Sequence, residues 1–185
     1  MKTGIFVVSD THKLNAGMET ALWREQGNFD YVIHLGDIEG CEREIREMVS
    51  KVNPAAGFIT VRGNCDEDYS VPAFRTPEYR GVKIFAAHGH RYYNKVPGGP
   101  FDALASAAAG EGCRIALFGH THRPHFEKAW NGVILINPGS ISLPRQEDRR
   151  HGYGILTVAD SGMILWEQKY LETPDTESSV KIPAV

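Results

Sequence analysis

Gly4-Ile5-Phe6-Val7-Val8-Ser9-Asp10-Thr11-His12 sets the pattern for the chain. Four consecutive apolar side chains, bounded by a glycine and by polar residues, read as a short buried strand. The strand then stops on an acid and an imidazole. Four more short apolar runs end the same way. Residues 31–35 run into Gly36-Asp37, and residues 58–61 into Arg62-Gly63-Asn64-Cys65-Asp66. Residues 82–87 run into His88-Gly89-His90, and residues 115–118 into Gly119-His120-Thr121-His122.

Strand ends that repeatedly release Asp, Asn or His predict one site gathered at one sheet edge, because rigid strands fix the loops that meet there. Between the early strands, residues 14–26 and 41–52 carry apolar side chains at helical spacing. Residues 101–109 are alanine-rich, with Gly110 as a stop. The later half changes period: residues 126–130, 133–137, 154–158 and 163–170 read as strands, with Asn131-Gly132 and Asp160-Ser161-Gly162 as turns. Early βα alternation followed by late hairpins predicts an α/β fold of two packed sheets covered by helices on their outer faces. The expected domain spans residues 1–171, and residues 172–185 are expected to be a polar surface tail.

Bulk properties exclude several classes. At 185 residues, with 42% hydrophobic and 23% charged residues, the chain has the composition of one ordinary globular domain. A formal net charge of −3, without a basic stripe, argues against nucleic acid as a partner. No apolar run approaches the roughly 20 residues that cross a bilayer, so no membrane association is expected. Cys41, Cys65 and Cys113 are scattered and odd in number, which predicts no disulfide framework and a cytoplasmic setting.

The candidate ligands are Asp10, His12, Asp37, Asn64, His88, His120 and His122. Four imidazoles, two carboxylates and an amide oxygen suit Mn²⁺, Fe, Zn²⁺, Ni²⁺ or Co²⁺ better than Mg²⁺ or Ca²⁺. Seven donors exceed what one open catalytic ion needs, and suit two divalent ions if a carboxylate bridges them. Two such ions held by only two carboxylates leave a net positive cluster. That charge attracts a phosphoryl group and stabilises charge growing on its oxygens. The expected reaction is hydrolysis of a small phosphate ester by a hydroxide bridging the ions, with His88 and His120 beside the reacting oxygens.

The ordered set Asp-x-His, Gly-Asp, Gly-Asn-x-Asp, His-Gly-His and Gly-His-x-His resembles the calcineurin-like metallophosphoesterase family, over residues 10–144. It is most similar to the small YfcE-type phosphodiesterases, through Gly63-Asn64-Cys65-Asp66, Gly119-His120-Thr121-His122 and the stretch from Asn137 to Pro144. The resemblance implies a four-layer αββα sandwich of two mixed β-sheets, with the dinuclear site at the strand C-terminal ends. It also implies Asp10, His12 and His122 on one ion, Asn64, His88 and His120 on the other, Asp37 bridging, and Mn²⁺ or Ni²⁺ as metal.

One position departs from the pattern of larger members, which carry His where this chain has Cys65. A thiol is a weak donor with an ordinary pKa of about 8.5. Cys65 as a catalytic group therefore predicts a preference for good leaving groups, or protonation by another residue such as His90. That departure, with the YfcE resemblance, favours diesters over monoesters.

Other polar residues carry blander expectations. His34, inside a strand, is expected to make a core hydrogen bond, and His125 and His151 to lie at the surface. His90 is balanced between a supporting and a substrate-contacting role. Asp66 is balanced between orienting Asn64 or Cys65 and forming a turn. Arg123, directly after the last ligand, is either a substrate contact or a salt-bridge partner, whereas Arg145 belongs to a solvated charged loop. The stretch 137–144 is read as architectural. The alternative function is a scaffold like the retromer subunit that shares this fold with a degenerate metal site, and a homo-oligomer remains open through exposed sheet edges.

Overall fold

In the computed structural model, which describes residues 1–93, 99–173 and 178–182, the predicted alternation is realised as two six-stranded sheets. The elements in chain order are β1 (Lys2–Val8), α1 (Ala16–Arg24), β2 (Tyr31–His34), α2 (Glu42–Val52), β3 (Gly57–Thr60), β4 (Phe74–Arg75), β5 (Glu78–Tyr79) and β6 (Val82–Ala87). They continue with α3 (Asp102–Gly110), β7 (Ile115–Leu117), β8 (Pro124–Lys128), β9 (Ile134–Pro138), β10 (Gly152–Ala159), β11 (Ile164–Tyr170) and β12 (Ser178–Ile182). The first sheet runs β12-β11-β10-β1-β2-β3; the second runs β4-β6-β7-β9-β8, with β5 added on β6.

Both sheets are mixed. β1, β2 and β3 are parallel, as are β6, β7 and β9, and the outer pairings are antiparallel. Parallel strands covered on both faces need apolar side chains in both directions. Ile5 and Val7 of β1 therefore point between the sheets, while Phe6 and Val8 meet Met18, Leu22, Ile45 and Val49 of α1 and α2. On the second sheet Ile84 and Ala86 face the sandwich interior, and Phe85 and Ala87 meet Leu104, Ala105 and Ala108 of α3. The result is the expected four layers, with α1 and α2 outside one sheet and α3 outside the other.

The structure corrects the end of the chain. A polar tail was expected from residue 172, but Ser178–Ile182 forms β12, antiparallel to β11 with Ile182 opposite Ile164. Ile182 is 6% exposed and belongs to the core between the sheets. Burying one such side chain stabilises by roughly 1.5–3 kcal/mol, which outweighs the polar serines and lysine beside it. The two-residue strands β4 and β5 were not expected either; they are too short to show a period.

Candidate metal centre

Each predicted ligand leaves the C-terminal end of a strand from the parallel part of a sheet. Asp10 and His12 follow β1, Asp37 follows β2, Asn64 follows β3, His88 follows β6, and His120 and His122 follow β7. The loops reach one another because two glycines let them close. A Cβ at Gly63 would lie 2.0 Å from Asp37 Oδ1, and one at Gly119 would lie 1.9 Å from Ser9 Oγ and 2.8 Å from Asp10 Oδ2.

Backbone strain marks the same place. Asp10, His12, Asp37, His120 and His122 all have positive φ, between 47° and 66°. For residues with a Cβ this conformation costs roughly 1–2 kcal/mol each, and such cost concentrates at functional sites.

Nitrogen and oxygen donors converge on two adjoining points. Ligand atoms of Asp10, His12, Asp37 and His122 lie within 4.8 Å of one another. His122 Nε2 is 3.3 Å from Asp10 Oδ1 and 3.3 Å from His12 Nε2, and His12 Nε2 is 3.6 Å from Asp37 Oδ2. On the other side of Asp37, His88 Nε2 is 3.4 Å from Asp37 Oδ2 and 3.1 Å from Asn64 Oδ1. His120 joins this side through its ring, 5.3 Å from that of His88, and its backbone N–H donates to Asp10 Oδ2 at 3.1 Å.

The tautomers follow from the remaining ring nitrogens. His88 Nδ1–H donates to Leu35 O at 2.7 Å, His122 Nδ1–H to Leu143 O at 2.6 Å, and His12 Nδ1–H to Glu39 Oε1 at 2.6 Å. In the neutral rings every Nε2 then presents a lone pair to the centre. Lone pairs of His12 and His122 face each other, that of His88 faces an amide oxygen, and all border two carboxylates. Asp10 Oδ1 is buried without a hydrogen-bond donor. Acceptors that face acceptors in a buried place are unfavourable unless a cation lies among them, and the donor set fits divalent transition metals.

The electrostatics agree. Burial opposes ionisation of Asp10 and Asp37, but His122 and His88 beside Asp10, and His88 with the Cys65 amide beside Asp37, outweigh it and hold both below the usual carboxylate range. Burial alone would lower His88; the Asp37 and Asp10 carboxylates outweigh it and raise its affinity for a proton. A proton is the lesser substitute for a metal ion at that nitrogen.

Glu39 was not singled out in the sequence, and Asn137 and Ser140 were read only as part of an architectural stretch. Glu39 fixes His12, Ser140 Oγ donates to the Asp10 carbonyl at 2.9 Å, and Asn137 Nδ2 donates to Gly119 O at 2.7 Å. With Leu143 O on His122, the stretch 137–144 fixes ligands directly and does more than join the sheets. Asp66 neither orients Asn64 nor simply turns the chain. Its carboxylate accepts the N–H groups of Asp37 at 2.9 Å, Glu39 at 2.6 Å and Gly63 at 2.7 Å, tying the β2 loop to the β3 loop. Apart from Gly63, three residues before Asp66, each partner lies far away in sequence, so the sequence carries no local signal for these contacts.

The remaining candidates separate clearly. Cys65 Sγ receives the Asn64 amide at 3.1 Å, and burial with the Asp37 carboxylate pushes its thiol up to about 11. His90 lies 5.4 Å, ring to ring, from His88; burial and its imidazole neighbours push it down to about 4, which leaves it neutral near pH 7. His34 accepts the Gly36 N–H at 3.2 Å through Nδ1, as a core hydrogen bond, while its buried Nε2 has no partner. His125 stacks on Phe101 at 4.7 Å and His151 contacts Glu172, both at partly exposed positions.

Known proteins resemble this chain in sequence and fold. A profile of the Calcineurin-like phosphoesterase superfamily domain matches residues 1–161. The chain is 29% identical over 185 residues to the probable metallophosphoesterase YsnB of Bacillus subtilis, covering 96% of this chain and 99% of that protein. A crystal structure of a predicted phosphoesterase from Streptococcus pneumoniae is 27% identical with a TM-score of 0.75, covering 98% of each chain. Vps29 of Entamoeba histolytica, in complex with zinc, is 19% identical with a TM-score of 0.71, covering 97% of this chain and 98% of that one. At that identity the last shows a shared fold alone.

Proposed function

The chain belongs to the calcineurin-like phosphoesterase superfamily, and from that premise we propose that it is a two-metal phosphodiesterase acting on small phosphate esters. The observation that carries the reading is the convergence of the Nε2 atoms of His12, His88 and His122 on the Asp10 and Asp37 carboxylates. Asp10, His12 and His122 would hold one ion, Asn64, His88 and His120 the other, with Asp37 shared between them. Mn²⁺ is the favoured metal, with Ni²⁺, Zn²⁺, Fe and Co²⁺ as alternatives. When bound, such a pair acidifies a shared water and neutralises charge on the phosphoryl oxygens.

The chain's own contribution is placement. Leu35 O, Leu143 O and Glu39 orient the three rings, and Asp66 fixes the loop that carries Asp37. Neither Cys65 nor His90 is a good proton donor near neutral pH, the first being too weak an acid and the second already neutral. The leaving alcohol therefore departs with little help, which favours diesters with acidic leaving groups. The competing reading, an assembly module, draws on the fold shared with Vps29; the complete set of seven donors supports the enzyme instead.

The deciding experiment is hydrolysis of bis-p-nitrophenyl phosphate beside p-nitrophenyl phosphate by EDTA-treated protein, with and without Mn²⁺. Turnover restored by Mn²⁺, and faster on the diester, is expected. No turnover with Mn²⁺, Ni²⁺, Co²⁺ or Zn²⁺ would turn the reading towards the assembly module.

A further inference from the structure

The reaction needs a place for the part of the substrate beyond the scissile phosphate, and the metal centre has two unlike flanks. Beside the β2 and β3 loops lies a cavity of about 390 Å³ bordered by Glu39, Glu42, Asp66, Glu67 and Asp68. Among the described residues its one cation is Lys13, 3.5 Å from Glu39, so that charge is already matched. A phosphate-bearing group is repelled there.

The opposite flank is a groove of about 610 Å³ that begins at His120 and is bordered by Tyr93, Phe101, His125, Arg123 and Arg145. Among the described residues no carboxylate lines it; Glu127 reaches His125 Nε2 from outside, at 3.0 Å. Both arginines are tied to the ligand loop through their backbones: Arg123 follows His122, and Arg145 N donates to His122 O at 2.9 Å. Among the described residues neither guanidinium has an ion-pair or hydrogen-bond partner. The rings form a connected wall, Tyr93 to Phe101 at 5.7 Å and Phe101 to His125 at 4.7 Å, and Tyr93 stands 6.2 Å from the His120 ring.

We propose that this groove is a subsite for a nucleotide-like portion of the substrate, with a second phosphate on Arg123 and Arg145 and a planar base against Tyr93 and Phe101. The inference rests on the phosphoesterase reading for its role in turnover, but the binding it asserts is separable. Two guanidinium groups bordering one groove match the oxygens of a phosphate, which no neutral lining would hold. The Tyr93 ring is 42% exposed and Phe101, partly buried, stands beside it; an open aromatic face accepts any base by stacking. A chain with net charge −3 does not collect anions over its whole surface, so an anionic tail is directed by this local field.

Calorimetric titration of the full-length chain, as purified and after EDTA treatment, compares ADP with inorganic pyrophosphate and adenosine. ADP is expected to bind at least about tenfold more tightly than either. Arg123→Gln with Arg145→Gln, both at exposed positions, is expected to weaken ADP by about tenfold or more, and Tyr93→Ala to bring ADP towards pyrophosphate. ADP binding no tighter than pyrophosphate, or unchanged in the double arginine variant, overturns the proposal. Turnover of bis-p-nitrophenyl phosphate is read separately. Its absence with arginine-dependent ADP binding sinks the phosphoesterase reading and leaves the groove; its presence with arginine-independent binding sinks the groove alone.

Discussion

The two flanks of the metal centre are built from loops of similar length yet carry opposite charge. The β2 and β3 loops place their carboxylates around the ligands, and one of these, Asp66, is consumed by three backbone N–H groups. The β7 loop and the stretch near Arg145 place guanidinium groups in a lining that holds no carboxylate among the described residues. The acidic flank thus holds the ligands in position, and the basic flank is left to meet the substrate. A net charge near zero hides this division, because the two contributions cancel in the sum.

The comparison is broken most severely at its centre. Asp37 borders both donor groups, and Asp37→Asn is expected to lower kcat/KM for bis-p-nitrophenyl phosphate by roughly a thousandfold, with reduced metal content on elemental analysis. Mn²⁺-dependent turnover within tenfold of the parent would remove Asp37 from its shared position.

A smaller effect tests the floor under both flanks. His34 is buried and held down to about 4 from an ordinary 6.5. The unfolded chain therefore binds the extra proton between those values, so stability is full above 6.5 and falls as the pH drops towards 4. The loss amounts to about 3 kcal/mol at most. Urea unfolding of metal-free protein at pH 7 and pH 5 should show it, and His34→Gln should flatten the difference; an unchanged pH dependence would mean the ring is not held neutral.

Asp66→Ala sharpens the structural role of the acidic flank. Freeing three N–H groups should weaken metal binding by about 10- to 100-fold, the size seen for groups that orient ligands, while bound metal restores much of the turnover at high concentration. If the metal affinity is unaltered, the β2 loop is held by something else.

Charge on the flanks themselves comes next. Arg145→Gln is expected to weaken ADP about fivefold, and Glu67→Gln to change it less than twofold, because exposed charges contribute under about 1 kcal/mol apiece. Equal effects from the two would erase the division between the flanks. Cys65→Ala should be the mildest change, within about threefold in kcat on a poor leaving group, since a thiol at about 11 is a weak proton donor. A large loss would restore the catalytic role first expected from its position after Asn64.

Much of this was legible in one dimension. Five apolar runs each ending in Asp, Asn or His pointed to the sheet edge and to the candidate ligands there, because strand periodicity and residue chemistry are local properties. β12 was not legible: five residues with two serines and a lysine look like solvent-exposed chain until Ile164 supplies a neighbour for Ile182. Glu39 was missed, and Asn137 and Ser140 were read as merely architectural, for the same reason, as each acts on a residue brought near only by folding.

The sequence by itself determined the layer order, the family resemblance and the chemical type of the centre. Tertiary structure alone decided which nitrogen of each histidine faces inward, which carboxylate binds backbone, and which side of the site is positive. Those choices depend on contacts between residues up to 53 positions apart, and hydrogen bonds and charge pairs act through space, not along the chain.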